Sequence, residues 1–308
     1  MDKESTKELL KFFMQSKSND FLHAYLYLAY PELYLYHMGR KAGLISRQDR
    51  DALPEKYDPG LSAMIAGAIK TMAPDMAHPT RNPYHGKVLT GELARKIITV
   101  SRPVAMIGAE QVIPYQVAND IILGHPKSIV VTACPCREMQ ENPCRPSDVC
   151  LFIGDPFARF IYEHHPEKSR IIDVDEALSI LEMCEQAGYV HHAFFKKEMG
   201  NRFYCLCNCC SCCCLAMQSW HKGFKLGLKP SGYVAVSDDR TCAGCGTCVE
   251  NCRFRAVTLD PETGKIRIDQ AACMGCGLCV SHCPTESIRL QLDPSKGLPL
   301  DVDMGMSS

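Results

Sequence analysis

The sequence predicts an α+β chain: a helical N-terminal region over residues 1–90, an α/β cysteine-rich middle domain over 91–229, a small module of two β-hairpin halves over 231–292, and a loosely ordered tail over 293–308. Three observations carry this prediction. Apolar residues recur at helical spacing through the first region. Helical and β-branched stretches alternate around cysteine-rich loops in the second. In the third, Cys242, Cys245, Cys248 and Cys252 return 31 positions later as Cys273, Cys276, Cys279 and Cys283.

In the first region, Pro31, Gly39, Pro54 and Pro59 break the apolar periodicity into several short helices. Tyr25, Tyr27, Tyr30, Tyr34 and Tyr36 lie in an aromatic-rich stretch from Phe21 to Tyr36. This stretch lacks the basic polar face of a membrane-surface helix, so it reads as core or as a contact for a partner.

The middle domain is expected to run from a helix at Tyr115–Leu123 through Gly124 to a β-branched strand at Ser128–Thr132. That strand delivers Cys134, Cys136, Cys144 and Cys150 in a C-P-C-R-x6-C-x5-C arrangement. Cys134 and Cys136 share one side of an extended chain, while Pro135, Pro143 and Pro146 shape a loop that can return the other two. Four thiols suffice for one site. A third iron-sulfur cluster is the expectation there, with zinc or reduced, partly buried thiols as alternatives.

Next comes a helix with Asp173 as N-cap, Glu176 three residues on and Gly188 beyond the last turn. Its apolar stripe is Val174, Ala177, Leu178, Leu181 and Cys184, which makes Cys184 a core residue. From Cys205 to Cys214 the chain reads C-L-C-N-C-C-S-C-C-C, seven thiols in ten residues. Extended geometry sends Cys205, Cys207, Cys209 and Cys213 to one face and Cys210, Cys212 and Cys214 to the other. Cys207, Cys209, Cys210, Cys212 and Cys213 are the candidate ligands. They could serve one cubane with spare thiols, two metal sites of which one is shared with the 134–150 loop, or a cluster that leaves an iron open. The pairs His164–His165 and His191–His192 are expected at solvated turns. Trp220, Lys222, Lys225 and Lys229 are expected in a linker, either solvated or forming a patch for an acidic redox partner.

The C-terminal repeat is the most specific signal. Thiolate is a soft ligand suited to iron, and two C-x2-C-x2-C-x3-C runs are the two-cluster arrangement in which the fourth cysteine of each run ligates the other cluster. Cys242, Cys245, Cys248 and Cys283 are thus assigned to one [4Fe-4S] cluster, and Cys273, Cys276, Cys279 and Cys252 to the second. Paired zinc sites are the alternative for such spacing. The stretches Tyr233–Val236, Ala256–Leu259, Lys265–Ile268 and Ser287–Leu290 favour strands that bracket the two loops.

This module resembles the bacterial-type two-cluster ferredoxins, whose clusters pass single electrons between partner proteins. Pro284 follows Cys283 as that motif expects, but Arg253 follows Cys252. A fixed positive charge there would favour the reduced cluster and make the two potentials unequal, unless Arg253 points into solvent. A wider resemblance covers roughly the last two thirds of the chain. C-P-C-R, C-L-F-I-G, E-A-L-x-I-L, A-G-Y-V and C-N-C-C-x-C-C precede the ferredoxin-like module, as in a group of anaerobe proteins described as 4Fe-4S dicluster proteins. This resemblance implies a redox role and further metal in the middle domain, without a substrate.

Composition narrows the function. The formal net charge is −1, with 34 Lys and Arg against 35 Asp and Glu, which offers no electrostatic case for nucleic acid. Met1–Leu10 is polar, and the apolar stretches are too short to span a bilayer, so a cytoplasmic protein is expected. Twenty cysteines in that compartment point to metal rather than disulfides, and to an anaerobic host. No glycine-rich dinucleotide fingerprint, phosphate loop or Ser-His-Asp arrangement occurs. The expected function is single-electron transfer to or from a flavoprotein or metallo-oxidoreductase partner. Two C-terminal clusters would serve it, with one or two more in the middle domain. The alternatives are a reductase with a substrate-binding cluster in 205–214, and a redox-responsive DNA-binding regulator with helices 115–123 and 174–187 in a winged-helix unit.

Overall fold

A seven-stranded sheet organises the chain, with strand order β4-β2-β3-β6-β5-β1-β7. The computed structural model describes residues 3–15, 21–45, 56–72, 84–100, 128–196, 199–200, 202–223 and 227–302. The helix expected at Tyr115–Leu123, the break at Pro54 and Lys225 lie outside these residues.

The strands are β1 (Tyr84–Val88), β2 (Ile129–Ala133), β3 (Asp148–Ile153), β4 (Ser169–Ile172), β5 (Val190–Lys196), β6 (Arg202–Cys209) and β7 (Leu228–Lys229). Every pairing is antiparallel except β1 with β7. β2 and β3 are near-continuous apolar runs because both faces of the sheet are covered.

The first four helices are α1 (Glu4–Gln15), α2 (Phe21–Ala29), α3 (Pro31–Lys41) and α4 (Pro59–Met72). Leu9, Phe13, Leu28 and Tyr34 from these helices share one core with Val131, Leu151, Phe194 and Leu206 of the sheet. The aromatic stretch is core: Tyr27, Tyr34 and Tyr36 are buried, and the Tyr27 hydroxyl lies 3.0 Å from that of Tyr204 on β6. Among the described residues, no helix is long and apolar enough to cross a membrane.

The remaining helices of this part are α5 (Gly91–Thr99), α6 (Pro135–Glu138), α7 (Phe157–His164), α8 (Val174–Gln186) and α9 (Leu215–His221). α8 starts where its cap chemistry predicts, with the Asp173 carboxylate accepting from Glu176 N–H at 2.8 Å. Ala177, Ile180, Leu181 and Cys184 face the core, whereas Val174 is exposed.

The C-terminal module consists of β8 (Tyr233–Ser237), α10 (Thr247–Asn251), β9 (Val257–Leu259), β10 (Ile266–Ile268), α11 (Leu278–Ser281) and β11 (Ile288–Leu292). β9 pairs with β10, and β8 with β11, both antiparallel. Val234, Ala256, Val257, Ile266 and Ile288 form its own small core with cysteines from both loops. The chain is thus α+β throughout. Residues 293–302 depart from the expected loose tail: Asp293 caps a 3-10 turn, Pro294–Lys296, and Leu300 and Val302 are buried in the main core.

Candidate metal centres

Each C-terminal loop starts from an aspartate. Asp238 O accepts from Cys242 N–H at 3.1 Å, and Asp269 O accepts from Cys273 N–H at 2.9 Å. Two glycines per loop then turn left-handed, with φ of +67° and +78° at Gly244 and Gly246, and +66° and +87° at Gly275 and Gly277. Gly246 and Gly277 are the N-caps of α10 and α11. A Cβ on Gly244 would strike Gly264 O, and one on Gly275 would strike Tyr233 O. These aspartates and glycines obey the same 31-residue shift as the cysteines, so the repeat itself signals them as loop-formers.

Folding brings Cys252 to Cys273, Cys276 and Cys279, and these four line one cavity. Cys283 is brought to the other loop, where it acts electrostatically on Cys245 and Cys248. This is the grouping that crossed ligation needs, and the four-thiol donor sets suit iron. Backbone N–H groups point at sulfur as well: Ala256 N lies 3.2 Å from Cys252 Sγ and Ala235 N lies 3.4 Å from Cys273 Sγ.

The two loops differ in surroundings. Burial pushes the Cys276 thiol up to about 12 and raises Cys279 further. Cys245 is exposed, and the Thr247 hydroxyl and backbone lower its thiol. Burial also opposes ionisation of Cys283, but donors from Ser287 and Thr285 outweigh it and bring the thiol down to about 7. Cys252, Met274, Cys276 and Leu278 pack on the main core. The Cys252 group is therefore proximal to the main core, and the Cys245 group distal.

Arg253 folds back onto the end of α8 rather than extending into solvent, and keeps its positive charge. Its Nε donates to Gly188 O at 2.7 Å, at the C-terminal end of α8. Trp220 meets Phe254 edge-on with ring centroids 5.9 Å apart, so this linker residue is part of a docked surface. Lys222 Nζ is similarly engaged, donating to Gly43 O at 2.6 Å.

The middle-domain thiols divide differently from the expected sets. β3 pairs with β6 so that Cys150 faces Cys207 and Phe152 faces Cys205. Alternation puts Cys205, Cys207 and Cys209 on one face of β6, and Cys205 and Cys207 sulfurs lie 3.3 Å apart. The short α6 carries Cys136 behind its N-cap Cys134. A turn at 211–213 then brings Cys214 back to this face at the start of α9. Seven thiols, Cys134, Cys136, Cys150, Cys205, Cys207, Cys209 and Cys214, line one cavity walled by Tyr27, Leu35, Phe152, Phe194 and Tyr204, and Cys210 also contributes to its lining.

These sulfurs act on one another in a closed chain: Cys134 on Cys136, on to Cys214, Cys209 and Cys207, then to Cys150 and back to Cys134, with Cys205 acting on Cys150 and lying 3.3 Å from Cys207. Contacts from Cys134, Cys205 and Cys207 pull Cys150 well below the ordinary thiol value, with the Arg137 charge assisting. Cys136 and Cys209 contacts do the same for Cys214.

Cys144 leaves the group expected at 134–150. Its sulfur joins those of Cys210, Cys212 and Cys213, and all four lie within 4.8 Å of one another. Cys213 also leaves the face predicted for it, because strict alternation ends with β6 at Cys209. Cys205 and Cys214 join the cavity although spacing singles out neither as a ligand, and the turn that recruits Cys214 has no periodic signature.

The histidine pairs are not solvated turns. His191 and His192 lie buried on β5, where His192 sits opposite Cys207 and His191 Nδ1 lies 2.5 Å from Asn208 Oδ1. Burial pushes His192 down to about 4, so it is a neutral imidazole beside Cys214. His164 stacks on Phe160, with centroids 3.9 Å apart, and His165 Nε2 lies 2.7 Å from Leu28 O.

Comparison with curated proteins finds no match to this chain. Residues 241–287, which hold all eight repeat cysteines, match the family model described as a 4Fe-4S dicluster domain, and the C-terminal module is a ferredoxin-like iron-sulfur domain.

Proposed function

We propose that this iron-sulfur protein moves single electrons between a redox partner at the distal loop and a metal centre in the seven-thiol cavity, through the proximal loop. The asymmetry of the module carries this reading: Cys245 is exposed, whereas Cys252 and Cys276 pack against the main core, which the sheet shares. When bound, iron-sulfur clusters supply one-electron redox capacity at potentials set by hydrogen bonds and burial. Cys242, Cys245, Cys248 and Cys283 would hold the outer cluster, and Cys273, Cys276, Cys279 and Cys252 the inner one. The chain contributes N–H donors from Ala235 and Ala256 and an apolar contact, Trp220 on Phe254, that keeps water from the inner side. The partner chemistry is that of a flavoprotein or metallo-oxidoreductase in an anaerobic cytoplasm.

Iron and acid-labile sulfide per chain, measured on anaerobically purified protein, test the reading. About 12 or more iron atoms support a middle-domain cluster, and about 8 would confine clusters to the C-terminal module. Cys245→Ala should slow electron uptake from a low-potential flavodoxin-type donor at least tenfold while the middle-domain metal stays in place.

A reductase is the second reading, favoured by what lies beside the cavity. Tyr27 and Leu35 also line an adjoining apolar cavity that contains Lys196 and Tyr34. Lys196 is buried there, with Nζ 3.2 Å from the Tyr34 hydroxyl and 3.4 Å from His23 Nε2. This grouping could deliver protons to a small reducible molecule. Turnover of such a substrate with a reduced donor separates reductase from relay. DNA regulation ranks last, because α8 offers Asp175, Glu176, Glu182 and Glu185 and no Lys or Arg to a phosphate backbone.

A further inference from the structure

The eleven cysteines of the seven-thiol cavity and the neighbouring quartet differ in geometry as well as in place. In the quartet, Cys144 and Cys212 sulfurs are 2.8 Å apart, Cys212 and Cys213 are 3.7 Å apart, and no pair exceeds 4.8 Å. One tetrahedral zinc ion with thiolates at about 2.3 Å sets its sulfurs about 3.8 Å apart. A cubane holds its four terminal thiolates on separate iron atoms, and so further apart. With every sulfur within 4.8 Å of the others, the quartet spans a single ion rather than a cubane, and the Cys144–Cys212 pair would open by about 1 Å to seat it.

A second, independent observation concerns Arg137. It is 1% exposed, and among the described residues no carboxylate pairs with it. Its guanidinium donates to the carbonyls of Pro146 and Asn208, lies 4.4 Å from the Tyr189 ring centroid, and leaves Nε without a hydrogen-bond partner among the described residues. A buried cation without a carboxylate needs an anionic neighbour. Cys210 of the quartet, with Cys134 and Cys150 of the cavity, is among the groups whose charge would act on Arg137.

The surroundings also match those of metal-bound sulfur. The backbone N–H groups of Cys144 and Cys213 act on the sulfurs of Cys213 and Cys210. The loop carrying Cys144 is anchored by Tyr189, whose hydroxyl donates to Arg145 O at 3.0 Å.

We propose that Cys144, Cys210, Cys212 and Cys213 form a closed tetrathiolate site for one zinc ion, adjoining the seven-thiol cavity through Cys210 and independent of the electron-transfer reading. Zinc has no redox chemistry, and four protein ligands leave it no open position, so the site is structural. It ties the loop after α6 to the turn that returns Cys214 to the cavity, and so fixes the cavity's wall at Cys210.

The test is metal and sulfide analysis of the full chain, purified anaerobically from medium containing both iron and zinc. The expected result is about one zinc per chain, lost in Cys212→Ser, with iron and acid-labile sulfide unchanged. Cys212 is exposed, so its replacement disturbs little packing. As a second readout, cobalt exchanged for zinc should show the ligand-field bands of a tetrahedral thiolate site, absent in Cys144→Ser. Three results would overturn the proposal: no zinc in the wild-type chain, loss of sulfide together with iron in Cys212→Ser, or a thiol titration showing a Cys144–Cys212 disulfide.

Discussion

Arg253 and Gly188 join the two cysteine-bearing parts of the chain, the guanidinium Nε donating to the carbonyl at 2.7 Å. Gly188 has φ of +71° beyond the end of α8, where unpaired carbonyls and the negative end of the helix dipole favour a cation. A Cβ on Gly188 would collide with Arg253 Nη2. Arg253→Ala should therefore cost about 1.5 to 3 kcal/mol of docking, the value of a hydrogen bond with one charged partner. Limited proteolysis between residues 223 and 232 should become faster while C-terminal iron is retained. Unchanged cleavage would show that the Trp220–Phe254 contact holds the module alone.

Gly275 and Gly244 offer a pair of loop-specific lesions. Gly275→Ala adds left-handed strain of about 1 to 2 kcal/mol and a clash with Tyr233 O and Ser231 Oγ. It should remove about four iron atoms per chain, those of the inner cluster, and leave the outer one. Iron analysis alongside the Gly244→Ala variant, which should lose the outer cluster, checks the assignment.

Cys136→Ala opens the chain of sulfur contacts between Cys134 and Cys214. Iron per chain should fall, and both C-terminal clusters should keep their spectra. An iron count equal to wild type would remove the middle-domain cluster.

Acid should weaken the contact of α1 with α7. Burial, followed by the Lys3 charge, brings His164 down to about 4, and its Nε2 lies 2.9 Å from Thr6 Oγ1. An unfolded histidine titrates near about 6.5, so the unfolded chain takes the proton first as pH falls. This stabilisation is complete above about 6.5 and is lost as pH falls toward about 4. Thermal melts from neutral to mildly acidic pH should show a falling melting temperature, with a shallower slope in His164→Gln.

Lys168 Nζ lies 2.7 Å from Glu32 Oε1, with the lysine side chain 34% exposed and the glutamate 6%. Tyr57 donates to the same carboxylate at 3.0 Å. Lys168→Met should destabilise by roughly 2 kcal/mol, less than the ~3 to 5 kcal/mol of a fully buried pair because water still reaches the lysine. Denaturant unfolding measures this, and Glu32→Gln in the same background should recover part of the loss.

The sequence alone determined whatever short-range spacing encodes. Three cysteines two residues apart, with glycines between them, leave a loop little freedom, so the two C-terminal loops and their strands are legible from the repeat. The Asp173 cap and the stripe around Cys184 are local in the same way. The tertiary structure alone decided which middle-domain thiols meet. Cys150 reaches Cys205 and Cys207 through β3–β6 pairing, and Cys144 reaches Cys212 across a separation of 68 residues. It also buried His191 and His192, because β5 lies inside the sheet between β6 and β1. Strand order and turn direction follow from burying both faces of one sheet, a global balance that no local spacing records.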